Sequence, residues 1–162
     1  MSNARILVIY YSHEGNTRFV AQTIAEAVGA DLLELKPRKE LRPQGLMKYA
    51  WGGGQVMMKT RPELQPLDRD PAAYDLLFIG TPVWAWNYAP PLRSFIHSAR
   101  LSGKQVALFC CHGGDPSKTL PNMIKALEGN EVLGALDLRS PLDHREETAR
   151  RAADWARGIA GE

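Results

Sequence analysis

Ser12, Gly15, Asn16 and Thr17 are the residues whose types and spacing point most directly to chemistry. They follow the apolar run Ile6-Leu7-Val8-Ile9-Tyr10-Tyr11 and lead at once into Arg18-Phe19-Val20-Ala21-Gln22-Thr23-Ile24. A strand that stops at such a loop and turns directly into an amphipathic helix aims backbone N–H groups, and the positive end of a helix dipole, at one point. That point suits a phosphate. Ser12 and Thr17 add hydroxyl donors and Asn16 an amide, while Gly15 permits close backbone approach or a positive φ. The amides of His13 and Glu14 belong to the same predicted cradle. Asn16 or Thr17 could instead serve only as a helix N-cap. Other phosphate loops fit worse, since no G-x-x-x-x-G-K-[ST] and no G-x-G-x-x-G follows the strand.

A second group reads Gly80-Thr81-Pro82-Val83-Trp84-Ala85-Trp86-Asn87-Tyr88-Ala89-Pro90-Pro91. Two tryptophans and a tyrosine within five positions offer an aromatic wall for a flat ligand. Core or interface packing is the competing use of these rings. Trp84 is expected to serve the site more directly than Trp86. The third group is Cys110-Cys111-His112-Gly113-Gly114-Asp115-Pro116, whose glycines are expected to free backbone N–H groups for a ligand. A zinc site needs four ligands at separated spacings, and only His13 could join this cluster, so no metal is expected. Neither cysteine has Arg six positions later, which excludes a Cys-x5-Arg phosphatase loop. A phosphoacceptor domain would need carboxylates after the first and third strands, where Tyr10-Tyr11 and Gly80-Thr81 stand.

The first group resembles the first loop of the flavodoxin family, roughly Tyr-Ser-x-x-Gly-Asn-Thr, and matches it at Tyr11, Ser12, Gly15, Asn16 and Thr17. In that family the loop wraps the phosphate of FMN. The second group resembles family sequences that read Gly-x-Pro-Val-Trp followed by Ala-Pro-Pro, where the Pro-Val-Trp part runs along the isoalloxazine edge. The third resembles the loop after strand four, which meets the pyrimidine side of the ring. The resemblance implies FMN as cofactor. It carries over to Ser12, His13, Glu14, Gly15, Asn16 and Thr17 around the phosphate. Thr81, Pro82, Val83, Trp84, Ala85 and Trp86 would border the ring, and Cys111, His112, Gly113 and Gly114 would meet its pyrimidine side. No catalytic acid–base residue is then required, because the redox chemistry belongs to the flavin.

Alternating elements position these loops. Strands are expected at 5–11, 31–35, 74–80, 105–111 and 132–138, and helices at 16–28, 91–100, 118–127 and 143–159. Apolar β-runs separated by helices predict a parallel sheet covered on both faces. Five such strands fit the doubly wound, flavodoxin-like order 2-1-3-4-5, which places ligands at the carboxyl ends of strands one and three. The whole chain, 1–162, reads as one domain, with an excursion at about 37–73 that is longer than a crossover needs. Within it, Gly52-Gly53-Gly54 stands among Tyr49, Trp51, Met57 and Met58, which suggests an ordered surface and a homodimer contact.

The chain has 162 residues, 44% hydrophobic content and a formal charge of +2, too small and scattered to suggest nucleic acid. No apolar run approaches the ~20 residues of a membrane span, and the segment before the first strand is too short for a signal peptide. Adjacent cysteines make a poor staple, so a reduced, cytoplasmic setting is expected. Two functions remain open. One is electron transfer through bound FMN with a redox partner protein or small acceptor. The other is an NAD(P)H-dependent FMN reductase or quinone reductase on the same fold. Flavodoxins that act as dedicated shuttles are typically strongly acidic, whereas this chain is not.

Overall fold

The computed structural model describes residues 4–39 and 60–162. The proposed dimer segment, Tyr49 to Met58, lies outside the described residues, as does most of the predicted excursion.

Strand β1 (Ile6–Tyr10) enters the core and ends at the first loop, from which α1 (Asn16–Val28) departs. Val20, Ala21, Ile24, Ala25 and Val28 form the buried stripe of α1, at the spacing that brings helical residues onto one face. Gly29, at φ 67°, ends the helix by returning its N–H to the Ala25 carbonyl. Strand β2 (Asp31–Glu34) follows, and a short 3-10 turn (Pro71–Ala73) precedes β3 (Leu76–Trp84). A two-residue strand, β4 (Asn87–Tyr88), leads into α2 (Pro90–Ala99). Then come β5 (Gln105–His112), α3 (Thr119–Ala126), β6 (Glu131–Arg139), a second 3-10 turn (Pro141–Asp143) and α4 (Arg145–Ala160).

The parallel order is β2-β1-β3-β5-β6, so the five long strands adopt the expected doubly wound arrangement. Alternation along the strands divides the core in two, because successive side chains leave opposite faces. Leu7, Ile9, Leu77, Ile79 and Leu108 pack with Leu92 and Phe95 of α2 and Met123 of α3. Val8, Phe78, Ala107 and Phe109 pack with Val20 and Ile24 of α1 and Ala152 and Ala156 of α4. Each fully buried Leu, Ile or Phe contributes about 1.5–3 kcal/mol relative to exposure, so the sheet is held from both sides.

One boundary differs from expectation in a way that matters. β3 continues past Gly80 to Trp84, and Thr81 and Pro82 stay in register with Cys110 and Cys111. It then reverses into β4, pairing Val83 with Tyr88 and Trp84 with Asn87. Pro82 has no N–H to give a ladder, and the strand nonetheless continues through it. The turn residues Ala85 and Trp86 have φ of 47° and 67°, the positive values of a two-residue hairpin loop. Thr81 fixes the start of this hairpin, its buried hydroxyl accepting the Ala89 N–H at 2.9 Å and donating to the Pro82 carbonyl at 2.8 Å. No helix among the described residues is long and apolar enough to cross a membrane.

Candidate functional site

The carboxyl ends of β1, β3 and β5 open into one cleft of ≈ 690 Å³, within the size range of small-molecule sites. Ser12, His13, Glu14, Asn16 and Thr17 line it from the first loop, Pro82, Val83 and Trp84 from β3, Cys111 and His112 from β5, and Gly113 from the loop that follows. Thus three stretches separated by some seventy and thirty residues meet at the switch point between β1 and β3.

The first loop is shaped by Gly15, which sits at φ 102° as the residue preceding α1. An added Cβ would lie 3.6 Å from Leu142 Cδ1, an ordinary contact, so backbone conformation rather than space makes glycine suitable here. The helix carries no side-chain cap and no acid in its first turn. Its leading N–H groups have no carbonyl within the helix to bond, and the macrodipole adds positive potential. The Ser12 hydroxyl accepts the Gly15 N–H at 3.2 Å, which leaves its own proton to offer elsewhere. Asn16 is not an N-cap: its side-chain oxygen accepts the Leu142 N–H at 3.0 Å, tying the loop to the turn before α4 and leaving its NH₂ as the donor. Thr17 is buried beneath the loop, beside Cys111 in the lining of the cleft.

The two cysteines point to opposite faces of β5 and are both free and buried. Burial raises the Cys111 thiol to about 12 against the smaller opposing pull of the Thr17 hydrogen bond. Burial likewise raises Cys110, with the nearby Cys111 and Asp137 adding to the effect. Neither thiol ionises near neutral pH, so neither is an activated nucleophile. At the adjacent strand end burial and the Glu34 carboxylate lift the Tyr10 hydroxyl to about 12. Glu34 in turn holds Arg18 at 2.7 Å.

Trp84 forms an aromatic wall. Its ring meets Tyr11 edge-on, with centroids 5.5 Å apart, and His13 at 5.9 Å and 72°. Edge-to-face packing of this kind holds the indole in place while leaving its remaining surface toward the cleft. Trp86, by contrast, is 66% exposed at the hairpin tip. It does not line the cleft, and neither do Gly15, Thr81, Ala85 and Gly114 among the predicted residues. The role of Gly15 and Thr81 is to shape the backbone, as described above. At the third loop, His112 Nε2 lies 2.8 Å from Asp137 Oδ2, and the Gly114 N–H donates to His112 Nδ1 at 3.1 Å. The Gly114 N–H is therefore engaged within the loop rather than freed for a ligand.

Sequence reasoning missed the fourth wall. Ser140, Leu142 and Asp143, after β6, also line the cleft. The signal that could have found them is their place at the carboxyl end of a parallel strand, where ligands of such sheets bind.

Taken together, the site can hold an anionic group at the start of α1 and an aromatic ring against Trp84. A family model described as Flavodoxin matches residues 5–135. A flavoprotein of Lactobacillus acidophilus NCFM, crystallised in complex with FMN, superposes with a TM-score of 0.71 at 27% identity, over 87% of this chain and 97% of that one. A candidate flavoprotein of Bacteroides eggerthii superposes with a TM-score of 0.80 at 25% identity, over 98% of this chain and 99% of that one. The two-electron reduced flavodoxin of Megasphaera elsdenii, at 20% identity and a TM-score of 0.54 over 92% and 98% of the two chains, shares the fold. By the family match across most of its length, the chain belongs to the flavodoxin family.

Proposed function

We propose that this chain binds one FMN noncovalently in the cleft and transfers electrons through it between a redox partner and an acceptor. The observation that carries this is the convergence of the uncapped α1 N-terminus, the Trp84 wall and the third loop on one cleft. These residues fit the group. The left-handed Gly15 and the first-turn amides make a concave donor set for a phosphate, and the cleft continues from it past Trp84 to Gly113.

Bound FMN supplies the redox chemistry; the chain supplies binding, orientation and environment. The Ser12 hydroxyl and Asn16 NH₂ donate to the phosphate oxygens alongside the backbone amides. Thr17 joins them with its hydroxyl, which gains from a charged acceptor. Glu14 and Asp143, which line the same cleft, carry negative charge toward the ligand and oppose binding of the dianion. Affinity then depends on hydrogen-bond number rather than on ion pairing. Trp84 excludes water from one part of the ring, and the hairpin held by Thr81 keeps that indole in place.

Direct use of NAD(P)H is the alternative that experiment separates. The purified protein should show a flavin absorption band at one FMN per chain and weaker binding of riboflavin. Photoreduced protein should pass electrons to a one-electron acceptor without consuming NAD(P)H. Rapid bleaching by NAD(P)H alone would instead make it a reductase. Equal affinity for FMN and riboflavin would remove the phosphate site. We also propose a homodimer formed through residues 46–59, which sedimentation at micromolar concentration checks.

A further inference from the structure

His112 is the one imidazole in the cleft whose two ring nitrogens are both engaged by groups of known polarity. A backbone N–H can only donate, so the Gly114 N–H at 3.1 Å requires an unprotonated Nδ1. The ring proton then sits on Nε2 and donates to Asp137 Oδ2 at 2.8 Å. The tautomer is thereby set by its partners, one at the end of β6 and the other in the loop leaving β5. The His112 side chain is only 5% exposed, whereas the Asp137 side chain is 49% exposed.

The consequence falls on the backbone of the third loop. Gly113 and Gly114 have open space where a Cβ would stand, and neither has a positive φ. Their own conformational preferences therefore do little to define the loop, since glycine is the least restricted residue. What defines it is the bond from Gly114 to the imidazole, which closes a turn over Gly113, and Gly113 lines the cleft. With a phosphate at the start of α1, the rest of a bound flavin must extend toward this end of the cleft.

We propose that His112 is a positioning residue for the flavin ring, acting as a clamp between Asp137 and the Gly114 amide that holds Gly113 against the ligand. This rests on FMN occupying the cleft as proposed above. It differs from the expectation that the glycine amides simply bind the ring, because one of them is given to the histidine instead. The clamp acts on the ring end and leaves the phosphate loop untouched, so it should affect FMN and riboflavin alike.

The test uses three proteins: wild type, His112→Leu and His112→Asn. Asn retains an acceptor for the N–H two residues on, which is the bond that Asx turns make, while Leu has none. Flavin titrations should show His112→Leu weakening FMN and riboflavin by the same factor, about tenfold for one lost hydrogen bond and a loosened loop. His112→Asn should restore most of that loss. Hydrogen exchange of the Gly114 amide, measured without flavin, should be slow in wild type and His112→Asn and fast in His112→Leu. Thermal unfolding of each variant confirms that the fold is retained.

Unchanged flavin affinity in His112→Leu overturns the role given to His112 and leaves the cofactor assignment standing. Loss confined to FMN overturns it too, by moving the effect to the phosphate. If His112→Asn binds as poorly as His112→Leu while protecting the Gly114 amide, the imidazole contacts the ring itself, and positioning is overturned. A wild type that binds neither flavin overturns the cofactor assignment and with it the affinity claim.

Discussion

The Phe109 ring lies directly over the α-carbon of Gly80, so that a Cβ built there would stand 2.0 Å from Phe109 Cζ and 2.1 Å from Cε2. Gly80 pairs with Phe109 across β3 and β5, and both are fully enclosed in the sheet that carries the cleft. The glycine that opens the Gly-Thr-Pro-Val-Trp segment is thus a packing requirement. Gly80→Ala should destabilise the chain by about 1–3 kcal/mol through overpacking, read by denaturant unfolding of the flavin-free protein. Adding Phe109→Leu should recover part of the loss, because the two residues occupy one space. Strictly additive effects would show that the backbone, not the ring, meets the new methyl.

Thr17→Ala removes one donor from the phosphate loop. Hydrogen bonds to a charged acceptor contribute about 1.5–3 kcal/mol each, so FMN affinity should fall roughly tenfold or more while riboflavin affinity hardly changes. The paired titrations decide it. A matching fall for riboflavin would place Thr17 under the ring instead.

Replacing Trp84 by Ala should raise the fluorescence of bound flavin and loosen binding by about 1–3 kcal/mol, as for other aromatic contacts with planar bases. Trp86→Ala should do less, since that ring is 66% exposed and outside the cleft. The opposite ranking, seen in the same quenching titration, would mean the hairpin folds over the ligand.

Alkaline pH should unfold this protein unusually steeply. Cys111 is raised from 9.0 to about 12 and Tyr10 from 10.0 to about 12, both chiefly by burial. Between those limits the unfolded chain has lost protons that the native chain retains, so ν_U − ν_N is negative and stability falls as pH rises. The stabilisation is fully present below about pH 9 and is lost progressively as pH climbs toward about 12. Denaturant midpoints measured from pH 7 to 11 should show this, and Cys111→Ala should flatten the slope by about one proton. An unaltered slope would mean the thiol already ionises in the native state.

How much of this was legible in sequence depended on how local each feature is. The first loop could be read because Ser12 to Thr17 are contiguous and flanked by a strand and a helix of clear period. The helix end at Gly29 was equally plain, since glycine punctuates directly, and the helix expected from Pro91 begins one residue earlier, at Pro90. The hairpin after β3 was hidden because Ala85 and Trp86 are not residues that favour positive φ, and nothing like Asn-Gly announced the turn. Tertiary pairing holds it there, through Thr81 and Ala89. The partners of the cleft were hidden for a different reason. Asn16 meets Leu142 across 126 positions and His112 meets Asp137 across 25, and no spacing rule relates residues joined only by the sheet. Asp137 interrupts Leu136 and Leu138, which reads as a polar position on an outer strand rather than as a support for a histidine.

Cys110 and Cys111, side by side in β5, leave opposite faces of the sheet and are both buried. Their sulfurs cannot reach one another while β5 remains paired on both sides, because a disulfide needs its β-carbons on a common side at about 3.8 Å. Within the folded protein they therefore form no redox couple of their own. Stoichiometry follows: a reductive titration of the flavin-loaded protein should close at the two electrons that one flavin takes up, with no further equivalents drawn into the polypeptide.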